Sequence, residues 1–132
     1  MNRIQRGDIA EMVVATEALK NDFTVSMPIS HNSRYDLIID NGILHKVQVK
    51  RVYSVNNHGK QVRCVESKRI SNKGRQCYEE GSYDYLFACD VDTNDIWILP
   101  FNLSSKYKAQ IYLDSKEEYK NKWNLLGVGV SS

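Results

Sequence analysis

The sequence predicts an α+β, or mixed α/β, domain whose sheet is built near the middle of the chain. A helical pattern comes first, and runs rich in β-branched residues follow it. The 132 residues suffice for one domain of ordinary size, so we expect residues 1–132 to form a single domain. A composition of 42% hydrophobic and 26% charged residues is typical of a globular chain and excludes wholesale disorder.

Residues 8–21 are predicted to form the first helix. Apolar side chains recur there at helical spacing, and Asp8 followed three positions later by Glu11 is the pattern of a capping box. The residues at 23–28 alternate in polarity and stop at a proline, which predicts a short strand.

Two hairpins and a further strand are predicted after the first helix. The strands are expected at residues 35–39, 43–53, 61–66, 83–91 and 96–101. The first pair and the last pair of these runs are each predicted to form a hairpin. The glycine-bearing basic residues 68–76 are predicted to form a loop, and residues 115–123 a short helix.

Charge is distributed unevenly along the chain, although the net charge is only +2. Residues 41–75 carry nine basic groups and one acidic group, whereas residues 76–101 carry six acidic groups and no basic one. The basic middle of the chain therefore favours an anionic partner.

Three cysteines and no Cys-x-x-Cys pair argue against both a disulfide framework and a structural zinc site. The start of the chain lacks the apolar core of a signal peptide, and no run approaches the roughly 18 apolar residues of a membrane helix. We therefore expect a reduced, intracellular protein.

Strand parity decides whether Asp36 lies beside Gln48 and Lys50 in the first hairpin. Gln48 and Lys50 share a face because side chains alternate with period two. A two-residue turn at residues 41–42 turns Asp36 to the opposite face, whereas a three-residue loop at residues 40–42 places it on the same face.

We expect the three-residue loop, which pairs Ile39 with Ile43 and Asp36 with Lys46. This register gathers the apolar side chains of both strands on the other face. It also gives Gly42 the left-handed backbone position that such a loop requires.

A carboxylate, an amide oxygen and an ammonium on adjacent strands suit a hard divalent cation such as Mg²⁺. Asp36 and Gln48 offer the oxygens, and Lys50 is placed to orient or help deprotonate a water, or to stabilise charge on a phosphate. Glu11 is a candidate second carboxylate because its helix must pack on this sheet. Helix capping explains Glu11 equally well.

These residues resemble the PD-(D/E)XK nuclease superfamily, most closely the branch found among bacterial group I intron homing endonucleases. The resemblance rests on Glu11, on residues 34–40 and on residues 47–50. It extends to residues 83–89 and 96–100, which look like the closing strands of that branch. It implies a restriction-endonuclease-like core, with a central mixed β-sheet and the N-terminal helix packed on it.

The resemblance also implies roles for individual residues. Asp36 is then the central metal ligand, Lys50 the lysine that acts on the attacking water, and Glu11 an outer carboxylate. The backbone carbonyl of Val49 is a further ligand. The implied cofactor is Mg²⁺ or another divalent cation such as Mn²⁺. The implied core spans about residues 7–101, and a C-terminal helix and tail occupy residues 102–132.

Gln48 departs from the pattern, because most members have Asp or Glu at that position. An amide supplies an oxygen but no charge, so the site should hold a metal more weakly. Some branches resemble this sequence in using Gln there, and plain sheet surface is a further explanation of the residue.

Nine residues are candidates for contacting DNA. Three lie in the loop ahead of Asp36, and the others belong to the basic segment, where positive side chains pair with phosphate. They are Ser30, Ser33, Arg34, Lys60, Arg63, Lys68, Arg69, Lys73 and Arg75. A solvated turn and a solvated flap are the alternatives for the two groups.

The predicted function is metal-dependent, site-specific hydrolysis of phosphodiester bonds in duplex DNA, with a homing role suggested by the resemblance alone. The alternatives are a Holliday-junction resolvase, a restriction-type enzyme, and an inactive DNA-binding protein. Cutting both strands needs two sites, so a homodimer or homotetramer is expected, with residues 125–130 as a candidate contact. Such an enzyme is expected in the cytoplasm, at the nucleoid.

Overall fold

The first element is a long helix, α1 (Arg3–Lys20), in a computed structural model that describes residues 3–30, 33–71 and 74–127. The helix starts before the predicted residue 8, so the capping-box prediction is wrong and Asp8 lies inside the helix. Residues 3–6 contain good helix formers, which extend the helix past the single glycine at position 7. No helix in the described ranges is long and apolar enough to cross a membrane.

Within the described ranges, ten strands and one short helix follow. The strands are β1 (Thr24–Ser26), β2 (Leu37–Asp40), β3 (Leu44–Arg51), β4 (Tyr53–Asn57), β5 (Lys60–Glu66), β6 (Arg69–Ser71), β7 (Gly74–Gln76), β8 (Tyr85–Cys89), β9 (Ile96–Pro100) and β10 (Gln110–Tyr112). A short helix, α2 (Phe101–Ser104), lies between β9 and β10.

The central sheet has five strands in the order β1-β2-β3-β8-β9. Strands β3 and β8 run parallel, while the other neighbours are antiparallel, so the sheet is mixed. A second sheet has the order β10-β5-β4, and β6 and β7 form a separate two-stranded hairpin. The α+β class with a central mixed sheet is confirmed.

The first hairpin has a three-residue loop, as predicted, but the loop lies one residue later. Asp40 pairs with Leu44, so the loop is 41–43, and Ile38 rather than Asp36 faces Lys46. The predicted pairing is therefore wrong. Moving both partners by one residue leaves the parity unchanged, so the same side chains remain on the same face. Gly42 has the expected positive φ, at 103°.

Two apolar clusters fill the two sides of the central sheet. The cluster that includes α1 contains the buried residues Ala10, Val14, Ala18, Leu37, Ile39, Val47, Val49, Phe87, Cys89, Ile96, Ile98 and Leu126. The other contains Val52, Val65, Tyr83, Leu86, Ala88, Trp97, Leu99, Ile111 and Leu113. Strands β8 and β9 supply alternate residues to both clusters, which explains their almost continuous apolar sequence.

Several predicted elements are different in the structure. The predicted strand 43–53 is interrupted at Val52, and its two halves join different sheets. The predicted loop at 68–76 contains the β6–β7 hairpin. In place of the predicted helix at 115–123 there are separate 3₁₀ turns at Leu113–Ser115, Glu117–Tyr119 and Trp123–Leu125. Short segments of this kind lack the length from which periodicity is recognised.

The start of the C-terminal tail is attached to the central sheet. Asn41 Nδ2 donates a hydrogen bond to the carbonyl of Gly127 at 2.6 Å, and Tyr85 Oη donates to the carbonyl of Leu125 at 3.1 Å. Leu126 is buried in the α1 cluster. Residues 128–130 of the suggested contact segment lie outside the described residues.

Candidate active site

Asp36 lies immediately before β2 and is attached to β3 at two points. Its N–H donates to the carbonyl of Val47 at 2.8 Å, and its Oδ2 accepts a hydrogen bond from the N–H of Val49 at 2.8 Å. Asp36 therefore contacts β3 on both sides of Gln48, which lies between these two partners in the sequence. Two hydrogen bonds to a central strand hold the carboxylate in one place.

Glu11 on α1 lies close enough to Asp36 for their charges to interact. Burial, then the charge of Asp36 and then that of Asp8 raise the pKa of Glu11 to about 7. Burial also raises the pKa of Asp36, while the Val49 N–H and the Lys50 ammonium oppose this rise. Two carboxylates that repel each other in a partly desolvated position are stabilised by a cation.

Gln48 and Val49, on the part of β3 that Asp36 contacts, offer two further candidate oxygens. The Gln48 side chain is half-buried and has no hydrogen-bond partner among the described residues. The N–H of Val49 points to Asp36, and in an extended strand the carbonyl of a residue points to the same edge as its N–H. The ladder with β2 begins only at Leu37, so it does not extend to this part of β3.

The Lys50 ammonium is held next to Asp36. Its charge lowers the pKa of Asp36, and its Nζ donates to the carbonyl of Lys68 at 3.4 Å. The Nζ also lies 5.5 Å from the centre of the Tyr78 ring. A carboxylate, a carbonyl and an aromatic face all attract a cation.

The donor set fits a hard divalent cation rather than a soft metal. The described residues contain no group of three or more His, Cys, Asp or Glu that would hold a metal through side chains alone. Glu11, Asp36, Gln48 and the Val49 carbonyl are all oxygen donors. Mg²⁺ commonly binds through one or two carboxylates and keeps several waters. The residues present therefore fit the predicted Mg²⁺ or Mn²⁺.

The predicted DNA-contacting residues of the first loop precede Asp36 directly. Ser30 is exposed, and Ser33 Oγ accepts a hydrogen bond from the N–H of Tyr35 at 3.3 Å. The Arg34 guanidinium forms an exposed ion pair with Glu79 at 2.8 Å.

The basic residues of the middle segment have different environments. Lys60 is exposed at the start of β5. Arg63 pairs with Asp90 and Asp95, both at 3.3 Å, and lies over the buried Trp97 ring at 4.7 Å. The uneven charge along the sequence is thus partly neutralised by ion pairs within the fold.

The remaining basic candidates lie at the β6–β7 hairpin. Arg69 is in β6 and Arg75 in β7, while Lys73 lies outside the described residues. Lys68 is only 7% exposed and donates to Cys77 Sγ at 3.2 Å. The predicted phosphate contact of Lys68 therefore competes with a half-buried contact inside the protein.

Two groups beside Lys50, the Tyr78 ring and the Lys68 carbonyl, were not predicted from the sequence. Every residue has a backbone carbonyl, so the sequence does not show which carbonyl a lysine side chain will contact. Tyr78 follows the basic segment without any periodic pattern. Only the three-dimensional contact identifies both groups.

The arrangement of helix and sheet is similar to that of a solved restriction-endonuclease-like protein. The structure of a bacterial homing endonuclease, I-Ssp6803I, superposes with a TM-score of 0.80 and 26% sequence identity, covering 95% of this chain and 93% of that one. This similarity confirms the restriction-endonuclease-like fold.

A family model described as PD-(D/E)XK endonuclease matches residues 1–125. The chain belongs to the PD-(D/E)XK endonuclease family. It is also 33% identical over 81 residues to Protein 5.3 of Escherichia phage T7. That match spans 61% of this chain and 66% of the phage protein, just under two thirds of its length.

Proposed function

We propose that the chain is a divalent-metal-dependent endonuclease that hydrolyses phosphodiester bonds in duplex DNA at a specific site. The observation that carries this proposal is the position of Asp36, which is hydrogen-bonded to Val49 and within electrostatic reach of both Glu11 and Lys50. Family membership supports the same reaction class.

Asp36, Glu11, Gln48 and the Val49 carbonyl are the proposed ligands of the cation. When bound, Mg²⁺ or Mn²⁺ supplies electrostatic stabilisation of the phosphate and a more acidic water. The hydrogen bond from the Val49 N–H on β3 fixes the position of the Asp36 carboxylate. Glu11 would lose its proton on binding of the cation, because the pKa of Glu11 lies near 7. Gln48 contributes an oxygen without a charge, which makes the site less anionic than one with three carboxylates.

Lys50 is the proposed electrostatic catalyst. Hydrolysis attaches a water oxygen to phosphorus and breaks one phosphorus–oxygen bond, so negative charge builds up on the phosphate. A fixed ammonium beside the metal ligands stabilises this charge without reorganising. The contacts to the Lys68 carbonyl and the Tyr78 ring support this role because they keep the ammonium at the site.

The proposed DNA surface combines the loop ahead of Asp36 with basic residues of the middle segment. Its members are Ser30, Ser33, Arg34, Lys60, Arg69, Lys73 and Arg75, and the contributions of Arg63 and Lys68 depend on release from their contacts within the chain. We propose that residues 1–132 act as one domain and that two copies cut the two strands.

A homing role is the preferred biological function, since the fold is that of a protein described as a homing endonuclease. A homing or restriction-type enzyme requires an extended duplex sequence, whereas a junction-resolving enzyme requires branched DNA. The choice among them therefore depends on the substrate and not on the chemistry of the site.

Cleavage of supercoiled plasmids and four-way junctions in the presence of Mg²⁺ tests the proposal. The wild type should cut duplex DNA at defined positions. Lys50→Ala should lose cleavage by about 100-fold or more while DNA affinity stays within about twofold. Lys46→Ala is the matched control, because it removes the same charge from the same face of β3 and should keep cleavage.

Preferential cutting of the junction would assign the resolvase alternative. DNA binding without cleavage at any concentration of Mg²⁺ or Mn²⁺ would refute the nuclease proposal and favour the inactive DNA-binding protein.

A further inference from the structure

Two residues from one later segment of the chain contact the Lys50 ammonium. Its Nζ donates to the Lys68 carbonyl at 3.4 Å and lies 5.5 Å from the centre of the Tyr78 ring. A cation within about 6 Å of a ring centre is attracted by the negative face of the ring. Tyr78 therefore contributes attraction as well as packing.

The Tyr78 ring belongs to a cluster of aromatic side chains that meet edge to face. It meets Tyr83 edge to face at 5.1 Å, and Tyr83 meets Phe101 in the same way at 4.9 Å. Tyr83 is almost fully buried, and its hydroxyl is hydrogen-bonded to Ser104 at 2.8 Å. The ring beside Lys50 is thus part of a rigid cluster rather than an independent surface side chain.

Lys68 and Tyr78 flank the β6–β7 hairpin, at its beginning and its end. The Lys68 Nζ donates to Cys77 Sγ at 3.2 Å, which joins the two ends of the hairpin. The position of the ammonium therefore depends on the segment that carries several of the proposed DNA-contacting residues.

We propose that Tyr78 is a positioning residue for Lys50, holding the ammonium at the site through the face of its ring. This proposal rests on the proposed function, in which Lys50 stabilises charge on the phosphate. Without the ring, the flexible lysine side chain samples other positions. Misplacement of a catalytic group by about 1 Å is enough to lower a rate by roughly 100-fold.

Single-turnover cleavage by Tyr78→Leu and Tyr78→Phe tests the proposal. Tyr78→Leu should cut about 10-fold to 100-fold more slowly, with DNA affinity unchanged within about twofold. Tyr78→Phe keeps the ring and should cut at close to the wild-type rate. Tyr107→Leu is the matched control, because Tyr107 is also half-buried and has Lys116 at 5.5 Å from its ring, so the substitution should leave cleavage unchanged.

The contact itself is measured by NMR without DNA. In wild-type protein, the methylene group next to the Lys50 ammonium, assigned with Lys50→Arg, should be displaced upfield by the ring current of Tyr78. This displacement should disappear in Tyr78→Leu and persist in Tyr78→Phe.

An undisplaced Lys50 signal in the wild type would overturn the proposal. So would wild-type cleavage by Tyr78→Leu, or equal losses in the Leu and Phe variants, because the ring face would then not be the group that matters. A protein that cuts no DNA but shows the displacement would refute the proposed function, and with it the catalytic meaning of the contact, while confirming the contact.

Discussion

Burial and, after it, the charge of Asp36 raise the pKa of Glu11, which predicts an unusual dependence of stability on pH. The pKa of Glu11 is raised from its ordinary value of 4.5 to about 7, so the folded protein binds this proton more tightly than the unfolded chain does. The contribution of Glu11 to stability should therefore be greatest at low pH and should fall progressively between about pH 4.5 and pH 7 as the unfolded chain, and then the folded protein, loses the proton.

The full shift corresponds to about 3 kcal/mol. Glu11 keeps some contact with solvent, and screening reduces this amount, so we expect about 1 to 2 kcal/mol in the free energy of unfolding. Glu11→Gln cannot ionise and should lose this dependence, becoming more stable than the wild type at pH 8 without metal. Glu17→Gln on the same helix is the matched control and should follow the wild-type profile.

Urea denaturation from pH 5 to pH 8, in the presence of a chelator, gives the required free energies. Addition of millimolar Mg²⁺ at pH 8 should stabilise the wild type, because the cation binds the folded state, and should stabilise Glu11→Gln less. Parallel pH profiles for the wild type and Glu11→Gln would refute the raised pKa of Glu11.

Three further predictions concern charge and thiols. Arg63→Ala removes two ion pairs and the contact with Trp97, so it should lower the free energy of unfolding by about 1 to 2 kcal/mol in urea titrations. DNA affinity should change little. A large loss of affinity at unchanged stability would contradict this prediction. Joint replacement of Arg69, Lys73 and Arg75 by Ala should reduce the magnitude of the slope of log affinity against log salt concentration by about 2 to 3. An unchanged slope would show that these side chains do not contact DNA phosphates. In the folded protein at pH 8, iodoacetamide should modify the exposed Cys77 and spare the two buried thiols, as read by mass spectrometry; equal modification of all three would contradict the described burial.

Strand parity was enough to predict from the sequence which candidate site residues share a face of the first hairpin. The alternation of apolar and polar residues places Gln48 and Lys50 on one face of β3, and Asp36 joins them in any hairpin of the same parity. The exact loop was not predictable in this way, because loops at 40–42 and at 41–43 satisfy the same pattern. Only the backbone hydrogen bonds decide between them.

The capping box predicted for Glu11 was wrong because it rested on a local motif alone. Asp8 and Glu11 have the spacing of a capping box, but good helix formers upstream extend α1 back to Arg3. Because Asp8 is inside the helix, capping no longer explains Glu11. Its nearness to Asp36 depends on how α1 packs on the sheet, which no local pattern reveals.

The charged middle of the chain was recognised, but its internal partners were not. Arg63 meets its two aspartates because β5 lies near the turn between β8 and β9, and Lys68 meets Cys77 because the two ends of the β6–β7 hairpin are brought together. Such contacts between distant residues also place Tyr78 beside Lys50. The sequence therefore predicts the kind of chemistry better than it predicts which basic side chains are available to a partner.

The cleavage rate of Asp36→Asn across a Mg²⁺ titration tests whether Asp36 organises a metal-dependent site for cutting DNA. The substitution keeps the size of the side chain and an oxygen for the Val49 N–H while removing the charge. We predict that wild-type cleavage rises with Mg²⁺ and saturates, whereas Asp36→Asn binds the same DNA and stays at least about 100-fold slower at every concentration. Cleavage by Asp36→Asn at the wild-type rate would contradict the proposed site.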